Sequence, residues 1–488
     1  MDILTALKKV QKKGLRGTAK YCFNRFFPVQ QKKVTSENET DKKIFQILLL
    51  TNRDSDNVGD QVIEACDIGL IKAVMRNLNI DDNSYKINSR AAAIISQKYL
   101  ATKDERLLKT ARTLIEQADL VVFGGAPLFN YLYQNFYERT AVTLEIAEEF
   151  HTPVIFSAIG VERYEETNKK CQRLKKTLNF DCVKQITTRD GLEFLEKYKE
   201  KDELILGKVS DPAVFTSTVF GNYINQKKPE KANKKIGIFI LRANGFIDNR
   251  IDFSKEKAAA FWGDLIREIK SRNYDYDLIT SGHFGDEAFL DYLIRNYDFE
   301  EKKCVFNMNT PEKLIEKISS YDAVISCRLH PSIIAYSLNV PSVGIVWNSK
   351  VPGFYNSIGY GDRTVSIMDI DAKTVLKKIE QAMDEGIKKD RDFLMSVYVS
   401  LFHGIKEVAC WDGCDIEPYS YDELLNNISA YSGTTEKEQK EKLKRKFRRT
   451  YKVCNDRLDK NNEYKELIKE LKEENRELRE KLSDEFLV

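Results

Sequence analysis

Short runs of β-branched and aromatic residues alternate with helical stretches along most of the chain, starting at Ile44. Each run is followed by a turn and then by apolar residues at helical spacing. This alternation is typical of parallel sheets that are covered by helices. The predicted strands are 44–51, 120–123, 154–158 and 184–188 in the first half, and 236–241, 277–280, 323–326 and 342–346 in the second half.

A Lys-rich segment that contains Pro229 interrupts the alternation at residues 225–235, and we interpret it as a linker. It would separate an N-terminal domain, residues 44–224, from a C-terminal domain with closing helices, residues 236–433. The length of 488 residues agrees with this division, because a single core rarely grows beyond ~250–300 residues. The sequence therefore predicts an α/β protein with two doubly wound, Rossmann-like domains that face a cleft.

Residues 1–43 form a basic leader in which Lys and Arg are interleaved with apolar and aromatic residues at largely helical spacing. One interpretation is an amphipathic helix that lies on an anionic membrane surface. The other is a solvated helix that docks on the next domain, and Gly14 and Gly17 weaken the helix in either case. The sequence leaves both interpretations open.

The last stretch, residues 434–488, begins with a basic cluster and continues as a charged helix. A heptad seam predicts a short coiled coil, and hence a homodimer, with Asn475 at a core position that favours a two-stranded register. A single charged helix is the alternative, because about three heptads are marginal. We interpret both ends of the chain as devices for localisation or assembly. The seam residues are Tyr464, Ile468, Leu471, Asn475, Leu478 and Leu482.

The charge balance argues against nucleic acid as a partner. Lys and Arg number 78 and Asp and Glu number 75, so the net charge of +3 creates no global field. The nine cysteines are scattered without a CxxC pair, which predicts reduced thiols, no metal site and a cytoplasmic protein. No apolar run approaches the ~20 residues that span a bilayer, so any contact with the inner face of the cell membrane would be peripheral, through the leader.

Ligands of open parallel sheets bind at the carboxyl ends of the strands, which makes the strand-to-helix turns the candidate sites. The first turn, residues 52–60, contains Asn57 and ends at Asp60. Asp60 is placed like a helix N-cap, and its carboxylate either only caps or also faces the cleft. Asp54 and Asp56 formally match a DxD metal motif, which we interpret as a chance match.

Two further turns follow predicted strands of the first half. Gly124 and Gly125 either let backbone N–H groups approach a ligand or form a tight turn only, with Pro127 suited to a first helical position. Asp190 is expected to cap the next helix, which would leave Arg189 at the edge of the sheet. Arg189 then either points at the cleft or lies on the surface.

The second half contains the most informative turns. His283 lies in a glycine-flanked turn before a predicted helix. Arg328 and His330 follow strand 323–326 and precede an apolar helix, with Pro331 at its start. A guanidinium beside an imidazole suits a phosphate or carboxylate substrate, so we interpret the pair as functional. A buried structural histidine is the alternative.

These turns, in this order, resemble those of the polysaccharide pyruvyl transferase family. The similarity covers about residues 44–375, and the shared order of the pieces makes it specific. The matching pieces are Asn57-Val58-Gly59-Asp60, the run 118–125, Ile159-Gly160-Val161, Thr188-Arg189-Asp190, Ser210-Asp211-Pro212-Ala213, His283 with Asp286, Cys327-Arg328-Leu329-His330, Val340-Pro341 and Lys350.

The resemblance implies a GT-B-like fold and an enzyme of exopolysaccharide and cell-envelope biosynthesis. This transferase would move the enolpyruvyl group of phosphoenolpyruvate onto a glycan or lipid-linked sugar of a cell-surface polysaccharide and form a pyruvate ketal. Arg189 and Arg328 would hold the phosphate and the carboxylate, with His330 as acid and Asp60 as base. No cofactor is implied besides phosphoenolpyruvate as the donor substrate. Further substrate contacts are expected from Asn57, Gly124, Gly125, His283 and Lys350.

Two other functions stay open at this point. A GT-B-type glycosyltransferase with a nucleotide-sugar donor would use Arg328 and Lys350 to neutralise the diphosphate. A non-catalytic scaffold of glycan assembly would recruit other enzymes through its basic and coiled-coil segments. The intact set of Arg189, Arg328 and His330 argues against the scaffold.

Overall fold

A computed structural model describes residues 44–131, 135–224, 233–247, 249, 251–410 and 415–485. The predicted leader, residues 1–43, lies outside these ranges, and so does most of the predicted linker at 225–235. Within the described ranges, no helix combines the length and the apolar character that crossing a bilayer requires.

Six strands of the first half form one parallel sheet. They are β1 (Phe45–Thr51), β2 (Tyr85–Ala91), β3 (Leu120–Gly124), β4 (Val154–Ile159), β5 (Val183–Thr188) and β6 (Ile205–Lys208). Their order across the sheet is β2-β1-β3-β4-β5-β6, so the direction of winding reverses between β1 and β3. The two central strands, β3 and β4, are continuously buried, as expected for parallel strands that helices cover on both faces.

Six strands of the second half form another parallel sheet. They are β7 (Lys235–Phe239), β8 (Asp275–Ile279), β9 (Cys304–Val305), β10 (Ala323–Ser326), β11 (Ser342–Val346) and β12 (Thr364–Ser366). Their order is β12-β11-β10-β7-β8-β9, so the winding reverses between β10 and β7. The predicted fold class, α/β with two doubly wound sheets, is confirmed.

Helices connect the strands in both halves of the chain. The first half contains α1 (Val58–Asn77), α2 (Gln97–Thr102), α3 (Lys109–Gln117), α4 (Phe136–Phe150), α5 (Lys169–Leu178), α6 (Leu192–Leu195) and α7 (Thr216–Val219). The second half contains α8 (Ala243–Ile247), α9 (Lys255–Ser271), α10 (Phe284–Tyr297), α11 (Pro311–Ser319), α12 (Leu329–Ser337), α13 (Lys350–Ser357), α14 (Ala372–Glu385), α15 (Arg391–Ala409), α16 (Tyr421–Asn427) and α17 (Glu436–Glu485).

Helix α9 illustrates how the sequence covers a sheet. The Ser254 hydroxyl caps it by accepting the backbone N–H of Lys257 at 3.2 Å. Burying a large apolar side chain contributes about 1.5–3 kcal/mol, so a buried stripe at helical spacing holds the helix on the core of the second sheet. The stripe consists of Ala258, Trp262, Leu265 and Ile269.

The chain forms two compact units that are interleaved in sequence. Among the described residues, the first unit comprises 44–52, 70–210 and 395–428, and the second comprises 53–69, 211–394 and 429–485. The predicted domains were contiguous, with the closing helices assigned to the C-terminal one. The structure differs because residues 395–428 return to the first unit, where Gln185 donates to Ser400 Oγ at 2.7 Å and Arg76 donates to Asn427 O at 2.9 Å.

The C-terminal stretch is one long helix, α17. Thr435 and Glu438 form a reciprocal capping arrangement at its start, since each backbone N–H donates to the other side chain, at 3.0 and 3.3 Å. Further along, the heptad seam lies open to solvent: Tyr464, Ile468, Leu471 and Leu478 are 51–59% exposed. The coiled-coil homodimer stays a prediction.

Candidate active site

Three neighbouring strands of the second sheet end in turns that carry charged or imidazole side chains. β7 lies between β10 and β8, and the winding reverses between β10 and β7. Arg242 follows β7, His283 follows β8, and Arg328 follows β10. Because ligands of doubly wound sheets bind at this kind of reversal, the edge that these turns form is the candidate site.

The loop before α1 belongs to the same unit as this edge. The backbone N–H of Val58 donates to the carbonyl oxygen of Ser281 at 2.8 Å, which ties the start of α1 to the turn after β8. Gly282 makes this approach possible, because its φ is +90° and a Cβ there would lie 2.9 Å from both the Asp56 carbonyl oxygen and Cγ2 of Val58. The structure thereby brings Asn57 and Asp60 to the turns of the second sheet.

His330 lies in the first turn of α12 and contacts the first turn of α1. Its Nδ1 is 3.2 Å from Nδ2 of Asn57, and its Nε2 is 4.0 Å from Oδ1 of Asp60. His330 and Asp60 are both buried, with 7% and 6% of their surface exposed. The two predicted catalytic residues are therefore adjacent, at a distance from which both can reach one substrate group.

Asn57 determines which imidazole nitrogen carries the proton. Its Oδ1 accepts the N–H of Gly59 at 3.3 Å, which turns the amide nitrogen toward His330. An amide nitrogen only donates, so Nδ1 of His330 must accept and the proton of the neutral ring lies on Nε2, facing Asp60. The prediction that Asp60 is the N-cap is wrong, because α1 begins at Val58 and Asn57 occupies the capping position.

Gly59 allows α1 to approach the histidine. A Cβ at this position would lie 2.4 Å from both Cβ and Nδ1 of His330. We therefore expect Gly59→Ala to push the ring away from Asn57 and Asp60. A displacement of about 1 Å can cost up to ~10²-fold in rate, so kcat should fall by at least about tenfold.

The control for Gly59→Ala is Gly263→Ala. Gly263 also lies inside a helix, and a Cβ there would make only an ordinary contact of 3.6 Å with Arg267. This variant should keep its rate and gain slightly in thermal stability, because Ala favours a helix by about 1 kcal/mol over Gly. Equal rates for Gly59→Ala and wild type would show that the position of His330 does not limit catalysis.

Arg328 is held in place by a buried carboxylate. Its Nε and Nη2 donate to Oδ2 of Asp286 at 2.9 and 2.5 Å, and Asp286 is fully buried. The other oxygen, Oδ1, accepts the backbone N–H of Arg242 at 3.1 Å. Nη1 of Arg328 makes no hydrogen bond to any residue that the structure describes. The guanidinium is thus anchored along one side and can present Nη1 to an anion.

His283 caps α10 and stays neutral. Its Nδ1 accepts the N–H of Gly285 at 3.1 Å. Burial lowers the pKa of His283 to about 3, with a further contribution from the positive charge of Arg328 and an opposing one from Asp286. At neutral pH its remaining proton lies on Nε2, so His283 can donate a hydrogen bond to a ligand but does not add positive charge.

This depressed pKa predicts a pH-dependent stability. The unfolded chain binds a proton at His283 below pH ~6.5 and the folded chain only near pH 3, so the stabilisation is complete above ~6.5 and is lost as the pH falls through this window. His283→Asn keeps a capping side chain but does not titrate. Urea unfolding should show a smaller loss of stability between pH 7 and pH 4.5 in this variant than in wild type.

The control for this pH experiment is His151→Asn. His151 is exposed at the C-terminus of α4 with a φ of +54°, a conformation that Asn tolerates. This variant should show the same pH dependence as wild type. If His283→Asn also parallels wild type, His283 does not titrate differently in the folded and unfolded states.

The turns of the first unit differ from their predicted local structure. Gly125 N–H donates to the Ser157 carbonyl oxygen at 2.9 Å, so that group serves the sheet rather than a ligand. Pro127 does not begin a helix, since α4 starts only at Phe136. Gly124 is the last residue of β3.

The predicted capping role of Asp190 is also wrong. Gly191 occupies the N-cap position of α6, and Asp190 instead accepts the backbone N–H of Val161 at 2.9 Å. Arg189 does lie immediately after β5, as predicted, and it belongs to the first unit. Its role as an anion ligand stays a prediction.

Two functional candidates and one expected ligand complete the site of the second unit. The sequence pattern does not indicate Arg242, and it indicates Asp286 only through the family resemblance. The signal for Arg242 is its position after β7, a central strand, which is visible only once the order of the strands is known. Lys350 is the first residue of α13, which follows β11, the neighbour of β10. No cluster of His, Cys, Asp and Glu that could hold a metal ion occurs among the residues that the structure describes.

The two sheets and the group of side chains around Arg328 and His330 define an α/β protein whose second unit carries a site suited to an anionic ligand. The chain belongs to the polysaccharide pyruvyl transferase family, whose sequence model matches residues 21–349. This confirms the resemblance seen in the turns. No functionally curated protein matches the chain significantly.

Several solved structures are similar in backbone at low sequence identity. The UDP-GlcNAc 2-epimerase of Methanocaldococcus jannaschii is 13% identical, covers 75% of this chain and 99% of its own, and gives a TM-score of 0.47. The UDP-N-acetylglucosamine 2-epimerase of Rickettsia bellii is 10% identical, with coverages of 75% and 96% and a TM-score of 0.45. The ADP-heptose lipopolysaccharide heptosyltransferase II of E. coli is 13% identical, with coverages of 70% and 99% and a TM-score of 0.34.

Proposed function

We propose that the protein transfers the enolpyruvyl group of phosphoenolpyruvate onto a sugar of a cell-surface polysaccharide and forms a cyclic pyruvate ketal. Membership in the polysaccharide pyruvyl transferase family supports this reaction class. The observation that carries the proposal is the presence of His330, Asp60 and an anchored Arg328 at one edge of the second sheet.

The donor substrate carries two anions, a phosphate and a carboxylate, which need fixed positive partners. Arg328 is the first proposed partner, because Asp286 fixes its orientation without occupying Nη1. Arg242 adds positive charge beside it, and the N-termini of α1, α10 and α12 add the positive ends of their dipoles. Arg189 and Lys350 remain proposed ligands of the same substrate.

The reaction balances without a further reactant. Protonation of the methylene carbon C3 makes C2 electrophilic, and one sugar hydroxyl attacks C2. The bond between C2 and the phosphate oxygen then breaks, phosphate leaves, and a second hydroxyl closes the ketal. C3 gains one proton while the two hydroxyls lose two, so the remaining proton departs with phosphate.

His330 and Asp60 are the proposed catalytic pair. The Asn57 contact favours a neutral imidazole with its proton on Nε2, which is a good hydrogen-bond donor but a poor acid. We therefore assign the proton transfers to Asp60 and a hydrogen bond to a substrate oxygen to Nε2 of His330. This division differs from the sequence-based expectation, in which His330 is the acid.

The decisive experiment follows phosphate release from phosphoenolpyruvate in the presence of a pyruvylatable acceptor glycan. Thermal shift with phosphoenolpyruvate and, separately, with nucleotide sugars complements it, because a ligand that binds the folded state stabilises it by mass action. Stabilisation and turnover with phosphoenolpyruvate are expected. Stabilisation by a nucleotide sugar alone would instead favour a glycosyltransferase. The absence of a thermal shift with every ligand would favour a scaffold.

A further inference from the structure

The first half of α17 packs against the candidate site with a stripe of basic side chains. Inward-facing residues recur at helical spacing on one face of the helix, while Lys444 and Arg448 of the same segment are exposed. The stripe consists of Lys442, Arg445, Lys446 and Arg449, all partly buried. The basic cluster seen in the sequence is therefore divided into a packed face and a solvated face.

One part of this stripe holds the loop that carries Asn57. Arg449 pairs with Asp56 at 2.9 Å and also donates to the carbonyl oxygen of Asp54. The Asp56 side chain is 7% exposed, and burial raises its pKa while Arg449 is the largest opposing influence. Arg445 lies 3.4 Å from the Asp54 carboxylate. The two carboxylates of the apparent DxD motif thus face arginines.

Another part of the stripe holds the start of α10. Nζ of Lys446 is 2.7 Å from Oε2 of Glu287 and donates to Oδ1 of Asn309 at 2.9 Å. The side chains of Lys446 and Glu287 are 13% and 17% exposed, so this pair is largely shielded from solvent. Glu287 is the residue next to Asp286, which anchors Arg328.

Two of these contacts, those with Asp56 and Glu287, lie one residue away from a group that orients the site. Asp56 precedes Asn57, which holds the ring of His330, and Glu287 follows Asp286. We infer that α17 is a positioning element of the active site, in which Arg449 supports the alignment of His330 and Lys446 supports the alignment of Arg328. This inference rests on the proposed function for its kinetic consequences.

The segment immediately before α17 is itself held in place by contacts with the second unit. Tyr431 N–H donates to the Val219 carbonyl oxygen at 2.7 Å, and its ring lies 4.8 Å from that of Phe220. Thr434 donates to Glu312 at 3.0 Å. Removal of the residues after Gly433 should therefore reduce activity, and the assembly role of the tail stays a prediction.

The test separates the two supports by their kinetic signatures. Arg449→Gln should lower kcat about threefold to tenfold with little change in KM, because it loosens the group that carries out chemistry. Lys446→Gln should raise the KM for phosphoenolpyruvate about threefold to tenfold with little change in kcat, because it loosens the anion ligand. Arg448→Gln and Lys444→Gln remove the same charges from the exposed face and should behave as wild type.

Conservative variants and amide hydrogen exchange complete the experiment. Arg449→Lys and Lys446→Arg keep the charge and should recover most of the lost activity. Exchange should accelerate at residues 53–59 in Arg449→Gln and at 283–290 in Lys446→Gln, but in neither control. Exchange is measured without substrate, so it tests the positioning role of α17 even if wild type releases no phosphate and the proposed function fails. The inference is overturned if exchange in Arg449→Gln and Lys446→Gln matches exchange in the controls. It is also overturned if these two variants show the same changes in kcat and in KM as each other.

Discussion

Replacing His330 with alanine should lower kcat by ~10²–10³, the usual cost of removing one preorganised hydrogen-bond donor from a transition state. The Nε2 proton faces Asp60, and the Asn57 contact ensures that this nitrogen carries it. Alanine is well tolerated in the first turn of a helix, so the variant should fold. Steady-state phosphate release from phosphoenolpyruvate measures the loss.

A glutamine at this position distinguishes a donor from an acid. The glutamine amide can place an N–H near the position of Nε2 but cannot transfer a proton, so His330→Gln should keep clearly more activity than His330→Ala. Equal losses in the two variants would assign the proton transfer to His330 after all. His403→Ala removes an exposed histidine of α15 and should have no effect. A loss of less than about tenfold in His330→Ala would exclude the residue from the chemistry.

Arg328→Lys should be nearly as damaging as Arg328→Ala, with kcat/KM reduced by ~10²-fold in both. Asp286 engages Nε and Nη2 simultaneously, and only a guanidinium can make these bonds and still offer a further nitrogen to an anion. A lysine can pair with Asp286 or with the substrate, but its single nitrogen cannot align both. The measurement is kcat/KM for phosphoenolpyruvate.

The control for this pair of variants is Arg295→Lys, which changes an exposed arginine of α10 that pairs with Asp291. It should match wild type. If Arg328→Lys retains most of the wild-type kcat/KM while Arg328→Ala does not, the arginine acts through charge alone. If neither variant loses activity, Arg328 does not bind the substrate.

The strands that the sequence pattern predicts are those with neighbours on both sides. Each predicted strand is present with ends within two residues of the expected ones, because buried parallel strands need continuous apolar runs. The missed strands are β2, β6, β9 and β12, the outer strands of the two sheets. Outer strands are paired on one side and partly exposed, so they carry no such run; all four residues of β6 are exposed or intermediate.

The site could be predicted only in part, because some of its contacts join residues that are distant in sequence. Arg328 and His330 stand out because a central strand, a charged pair and a helix start follow one another in sequence. Asp190 was misassigned as a cap, since a carboxylate before a short helix looks the same whether it binds its own helix or a distant N–H. The pairing of Arg449 with Asp56 joins residues at opposite ends of the chain, and no local pattern reports such a contact.

The interleaving of the two units limits how this chain can be recombined with a relative. A chimera cut at the predicted linker would carry residues 53–69 of the second unit and would lack residues 395–428 of the first. Such a hybrid would force Asn57 from one parent against His330 from the other, and Gln185 from one against Ser400 from the other. Transplanting one unit intact therefore requires several exchanged segments and cannot be achieved by a single crossover.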